Sequence, residues 1–427
     1  MLSIHAHRTV LTRSAAALAL LGLLAFVPAI AAAGSKDKKK SSTAAPTASA
    51  RPQIDITKLV WPSPPNIGRI RYVTYFAGQK FDDGSAPVKA KQKWMDRLAG
   101  IRPEDDPKSK HRIMPFQLLA PHGLAVDSKG TLYVADQRVG AVFMFNAETR
   151  DAQMIHNGAP APFKLVNGAA VDDDDRLFIS DGKLHHVLVY NAKHEVIDQI
   201  TEGLMDPVGL AIDKENRILY VADTQQDQVL AYDADTFKLL RRIGTGGRNH
   251  ELTTPGDFSG PTGVAVDSDG NLYVSDTMNY RVEIFDADGK YISQFGRHCD
   301  GPGCFAHPKG IAVDGDGHIW VADGMLDLLQ VFNKDGDLLA FLGGHGNLPG
   351  QFDALTNVFV DKQNRVFTSE QYPGRVQMFR YTTDAEAAQL KKEKEEQRGK
   401  DRATKTQASA GSPAMEAQTG TKAEVKQ

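Results

Sequence analysis

The sequence predicts an all-β protein, a six-bladed β-propeller of four-stranded antiparallel blades. Three observations carry that prediction: a repeat, its internal spacing, and a way to close the ring. The repeat is clearest in PTGVAVDSDGNLYVSD, from Pro261, and returns as PHGLAVDSKGTLYVAD, PVGLAIDKENRILYVAD and PKGIAVDGDGHIWVAD from Pro121, Pro207 and Pro308. Weaker copies begin at Val166 and Leu355. The Asp closing the first apolar run falls at 127, 172, 213, 267, 314 and 361, so successive copies are 41 to 54 residues apart. A second acid closes the next run at 136, 181, 223, 276, 323 and 370. A recurrence of this length marks stacked or radially arranged supersecondary units.

Within each copy the runs read as strands. LAV, TLYVAD and AVFMFN are short and rich in β-branched or aromatic residues, and turn residues bound them. DSKG, DSDG and DADG suit hairpin turns, because Gly accepts positive φ and Asp bonds its own backbone. A third run ends in an aromatic, at Phe145, Tyr190, Tyr232, Phe285, Phe332 and Phe379, and a fourth follows in most copies. The sixth copy lacks a fourth run. The segment 70–78, IRYVTYFAG, resembles the outer strand KYISQFG and supplies the missing one, so an N-terminal strand closes the last blade. Radial closure leaves only short sheet edges. The propeller is placed at 69–381.

The ends read differently. Arg8 and Arg13 precede an apolar run from Ala15 to Ile30 and then Ala31-Ala32-Ala33, the pattern of a signal peptide over 1–33. Its cleavage would leave no transmembrane span, and a periplasmic or secreted protein is expected. Residues 34–68 read as a flexible linker and extended lead-in, too poor in apolar residues at its start to fold. Residues 382–427 read as a charged, largely disordered tail, although AEAAQLKKEKEEQRGK has strong helix propensity. The two cysteines, Cys299 and Cys304, are expected to pair in an oxidising compartment.

The repeat P-x-G-[ILV]-A-V-D-x-x-G-x-[IL]-[YW]-V-[AS]-D, followed by N-x-R-V, is similar to the NHL repeat; residues 261–285 match it, Asn279 and Arg281 included. NHL propellers include RNA binders, protein-binding modules and a peptide-amidating lyase. The lyase likeness is distant, and it implies zinc histidines in a Pro-His step of alternate blades. His122 matches that step, but Val208 and Lys309 occupy the next two, and Asn167, Thr262 and Thr356 the blades between. Propeller lactonases hold a cation with carboxylates near the channel, whereas the inner runs here carry none. No GxSxG or P-loop occurs either, so no catalytic residue and no metal ligand set is assigned, and a divalent cation stays open.

Function is therefore sought on the face where loops enter the inner strands and join second to third strands, since loops on a rigid frame carry function. Ligand-binding candidates there are His122, Arg138, Lys183, Tyr280, His307, Lys309 and Tyr372. An insertion, 79–118, opens on the same face; Trp94, Leu98 and Ile101 follow helical spacing and are expected to lie over the ring. Net charge is −3 with pI near 6.5, and no basic face is evident, so a nucleic-acid partner is not expected. The expected role is an exported binding module or scaffold of the cell envelope, taking a protein, peptide or glycan. The rival is a metal-dependent lyase or hydrolase on the same face.

Overall fold

A computed structural model of the chain describes residues 55–63, 67–78, 117–149, 151–155, 163–246 and 254–410, with side chains to 400. The expected signal peptide, most of the expected linker, and Trp94, Leu98 and Ile101 of the insertion lie outside the described residues.

Six antiparallel sheets form the propeller. The inner strands are Pro121–Val126, Val166–Val171, Pro207–Asp213, Pro261–Val266, Pro308–Val313 and Leu355–Val360. Blades one to five each run consecutively outward through four strands. In blade six, Ile70–Phe76 pairs antiparallel with Arg375–Tyr381, with Ile70 opposite Tyr381 and Phe76 opposite Val376. The chain's beginning and the last repeat thus complete one sheet, as the sequence predicts. One element departs from expectation. The lead-in adds a fifth strand, Val60–Trp61, to that sheet, because Trp61 packs edge-on against Phe379 and over Gly350, where a Cβ would come within 2.4 Å of the indole.

The core divides into six clusters, one between each pair of adjacent blades. The cluster that closes the ring joins Phe76, Phe367 and Val376 of blade six to Leu124, Leu132 and Phe143 of blade one. The aromatics that end the third strands are all buried.

The repeated acids do different work at the two ends of the strands. Those ending the inner strands organise hairpin turns: Asp127 accepts from the N–H of Lys129 and Thr131, and Asp172 from Asp174 and Arg176. Those ending the second strands are fully buried and join two loops. Asp136 accepts from Leu119 and Ala120 of the incoming loop and from Arg138 and Val139 of its own turn, at 2.7–3.0 Å. Asp181 does the same with Lys164, Leu165, Lys183 and Leu184, and Asp323 with Ala306, His307, Met325 and Leu326. In blades four and six, Asp276 and Glu370 accept from the incoming loop at the N–H of Ser259 and Asp353 and pair in addition with buried Arg281 and Arg375. Arg375 in turn donates to the carbonyls of Asn347, Leu348 and Gln351, fixing the long loop before blade six.

The tail also departs from expectation: Asp384–Ala410 is a helix. Its first turn is tied to the ring, where Arg69 pairs with Asp384 and the Asp384 N–H donates to Asp316. Anchorage at one end lets the propensity of the Ala/Glu/Lys-rich segment express itself. No described helix is long and apolar enough to cross a membrane. Cys299 and Cys304 form a disulfide in the loop before blade five.

Asp181→Ala removes the buried acceptor of four part-buried N–H groups, and hydrogen bonds to charged groups contribute about 1.5–3 kcal/mol each. We expect chemical denaturation to show a loss of about 3 kcal/mol or more. Asp173→Ala, on an exposed turn at the far face, should stay within roughly 0.5 kcal/mol of the parent.

Candidate functional site

The inner strands enclose a central cavity of about 760 Å³. Its mouth on the loop-rich face is ringed by the second residue of each inner strand: His122, Asn167, Val208, Thr262, Lys309 and Thr356. Most of these polar groups are spent on the frame. Asn167 accepts from Gln137 at 2.8 Å and donates to the Pro207 carbonyl at 3.1 Å. Thr262 donates to the Lys309 carbonyl and Thr356 to that of Pro121. Val208 offers nothing polar.

His122 and Lys309 are the exceptions. The Nδ1 of His122 lies 3.0 Å from the Asn167 carbonyl, an acceptor only, so Nδ1 bears the proton and Nε2 keeps its lone pair. Burial, reinforced by the nearby charge of Lys309, holds the His122 imidazole down to about 4. Burial also lowers Lys309, against the opposing pull of Asp323 and Asp327. His307, one step outside the ring, is lowered by burial and by Lys309.

Around this mouth stands a second ring that the second-strand acids position. The residue two places after each acid caps the following turn: Arg138, Lys183, Gln225, Met278, Met325 and Tyr372, every one exposed. Met278, Met325 and Tyr372 are 53%, 74% and 51% exposed and form an apolar arc over blades four to six. Arg138 and Lys183 form a basic arc over blades one and two. Tyr280 stands apart from both rings. Its backbone is left-handed, and its ring packs on His298 with centroids 4.4 Å apart.

The two methionines were not among the sequence candidates, although the constant offset from the acids marks their place. Also missed was a cluster between blades five and six. Ligand atoms of Asp327, His345 and Asp353 lie within 4.8 Å of one another, and His345 Nδ1 is 2.9 Å from Asp327. That hydrogen bond raises the His345 imidazole above its ordinary range. Such a set could hold a divalent cation. None of the six ring positions carries a carboxylate, whereas Asp127, Asp172, Asp213, Asp267, Asp314 and Asp361 line the cavity at its other end.

Six radial four-stranded sheets built on this repeat make the chain an NHL-repeat β-propeller. The family model described as SMP-30/Gluconolactonase/LRE-like region matches residues 94–297 and 257–342, together more than half the chain, and the chain belongs to that family. It is 32% identical to human NHL repeat-containing protein 2 over 98 residues, 22% of this chain and 14% of that protein. It is 37% identical over 106 residues to the probable peptidyl-alpha-hydroxyglycine alpha-amidating lyase pgal-1 of Caenorhabditis elegans, covering 23% of this chain and 28% of that one. The matched segments are thus well under a third of each relative's length. Among solved structures, a Bacteroides thetaiotaomicron structural-genomics protein superposes with a TM-score of 0.50 at 19% identity, over 62% of this chain and 70% of that one. This likeness concerns the fold.

Because the folded protein holds His122 neutral well below its unfolded pKa, protons bind the unfolded chain preferentially between about pH 6.5 and 4. His122 therefore contributes stability above about pH 6.5 that is lost as pH falls toward 4. His122→Asn keeps a donor for the Asn167 carbonyl without the titration. Melting curves at pH 7 and 4.5 should show a smaller acid-induced drop for the variant than for the parent; equal drops would remove His122 from the account.

Proposed function

We propose that the chain is a binding propeller of the cell envelope that takes a protein or peptide on its loop-rich face, with a glycan as the weaker fit. The observation that carries this reading is the outer ring. Six turns at equivalent places in the blades expose one side chain each, and five of them make a Met/Met/Tyr arc and an Arg/Lys arc. Aromatic residues, Met and Arg are the side chains enriched where proteins meet. Such a ring gives a partner both an apolar contact and a charged edge to orient against. The basic apolar run at the N-terminus supports export, and the pairing of Cys299 with Cys304 suits an oxidising compartment.

A second reading, a cation-dependent lyase or hydrolase, is favoured by the Asp327–His345–Asp353 cluster and draws on the names of the amidating-lyase relative and the matched family. The first reading is preferred because the six ring positions carry no carboxylate and the three residues of the cluster do not line the cavity.

Two experiments separate them. Capture of envelope proteins by the triple variant Met278→Asp, Met325→Asp, Tyr372→Ala should fail, while Phe341→Asp, on an exposed outer strand, should retain every partner of the parent. Equal capture by both would overturn the docking face. For the second reading, calorimetric titration of the metal-stripped protein with Zn²⁺ and Ca²⁺ should give one site that Asp353→Asn abolishes; absence of saturable binding would end it.

A further inference from the structure

The channel mouth holds a lysine whose ammonium is in direct contact with no carboxylate among the described residues. Lys309 lines the cavity, is half-buried, and makes no hydrogen bond or ion pair among the described residues. The two acids whose fields reach it are already engaged. Both oxygens of Asp323 accept backbone N–H groups, four in all. Asp327 accepts from the Leu355 N–H at 3.3 Å and faces His345 at 2.9 Å. The lysine stem crosses Gly324, where a Cβ would sit 3.2 Å from Cε, so the glycine makes room for it. A partly desolvated ammonium without a partner is costly, and an arriving anion would relieve that cost.

Two blades round the ring, and within reach of the Lys309 charge, His122 also lines the cavity and its Nε2 keeps a lone pair, since Nδ1–H is fixed on the Asn167 carbonyl. Among the six ring positions these two atoms alone are uncommitted, one a charged donor and the other a neutral acceptor.

We propose that the channel mouth binds a carboxylate that carries an O–H or N–H donor next to it, as in a 2-hydroxy acid or an N-acylated amino acid. The carboxylate takes the Lys309 ammonium, and the neighbouring donor takes His122 Nε2. The cavity behind the ring accommodates the body of a small acid. The same chemistry could arrive as the C-terminus of a docked peptide. A small acid needs no macromolecular partner, so this proposal can hold or fail independently of the docking face.

The test is calorimetric titration of the purified full-length chain with mandelate and with its neutral twin mandelamide. A tetrapeptide ending in a free carboxylate and its C-terminal amide form the second arm. The proposal expects saturable binding of an acid and weaker binding of its amide. Lys309→Met keeps most of the stem over Gly324 and removes the charge. It should weaken the acid roughly tenfold or more while leaving the amide unchanged, as expected for a lost charge-assisted hydrogen bond. His122→Phe should weaken acid and amide together, because both retain the donor. Binding of mandelate identifies a free small acid, and binding of the tetrapeptide alone identifies a peptide terminus. Equal affinity of acid and amide, undiminished acid binding by Lys309→Met at an unchanged melting temperature, or no binding in either arm would overturn the proposal.

Discussion

The buried acid at the end of each second strand is the constraint on which the loop-rich face depends. Loops that enter and leave the inner strands expose backbone N–H groups where no ladder can satisfy them, and a buried orphan donor is costly. One carboxylate solves this for two loops at once, because it offers two oxygens and several lone-pair directions. In blades one, two and five the carboxylate spans the incoming loop and the following turn. Charge burial there is offset by donors rather than by a cation. Blades four and six add an arginine at the NHL position and pin longer loops with it. Burial still pushes Glu370 up to about 7 despite Arg375, which shows how dry that corner is.

Once the turn geometry is fixed by the acid, the side chain two residues later is released from structural duty. It points outward in every blade, and its identity can vary without cost to the frame. The inner ring obeys the same logic with a different outcome. There Asn167, Thr262 and Thr356 knit neighbouring blades through backbone carbonyls, whereas His122 commits only Nδ1 to this and Lys309 commits nothing. A propeller's symmetry thus separates two kinds of position: those where six copies must agree, and those where disagreement is tolerated.

Much of the fold was legible in sequence because the repeat carries its own register. Strand order, the six blades and the closing strand at Ile70–Phe76 follow from spacing and from one missing outer strand. The fifth strand at Val60–Trp61 was not, since two residues hold no periodicity and their place depends on Trp61 meeting Phe379 and Gly350. The tail's helix needed anchorage at Asp384 that no propensity discloses. Of the site, Arg138, Lys183 and Tyr372 were found by their turns, and His122 and Lys309 by their ring positions. Met278 and Met325 were passed over because a methionine in isolation signals packing. Asp327 comes from a turn within blade five, and His345 and Asp353 from the loop that leads into blade six, so only the folded chain brings them together.

What no sequence reading reveals is which charges are already satisfied. Lys309 stands near Asp323 and Asp327, and by proximity alone it would be taken for half of a salt bridge. Distance decides otherwise, because Lys309 forms no ion pair with either acid. Asp323 has given its oxygens to four N–H groups, and Asp327 serves Leu355 and His345. Lowered by burial and unpaired, Lys309 is the ring's one charged side chain, and no frame group bonds its ammonium. The same counting disqualifies Asn167, whose amide looks like a ligand-binding group until both of its ends are found engaged. In a fold built from copies, function is best sought where an exceptional residue meets an unspent atom, and at this channel mouth that condition is met by Lys309 Nζ and His122 Nε2.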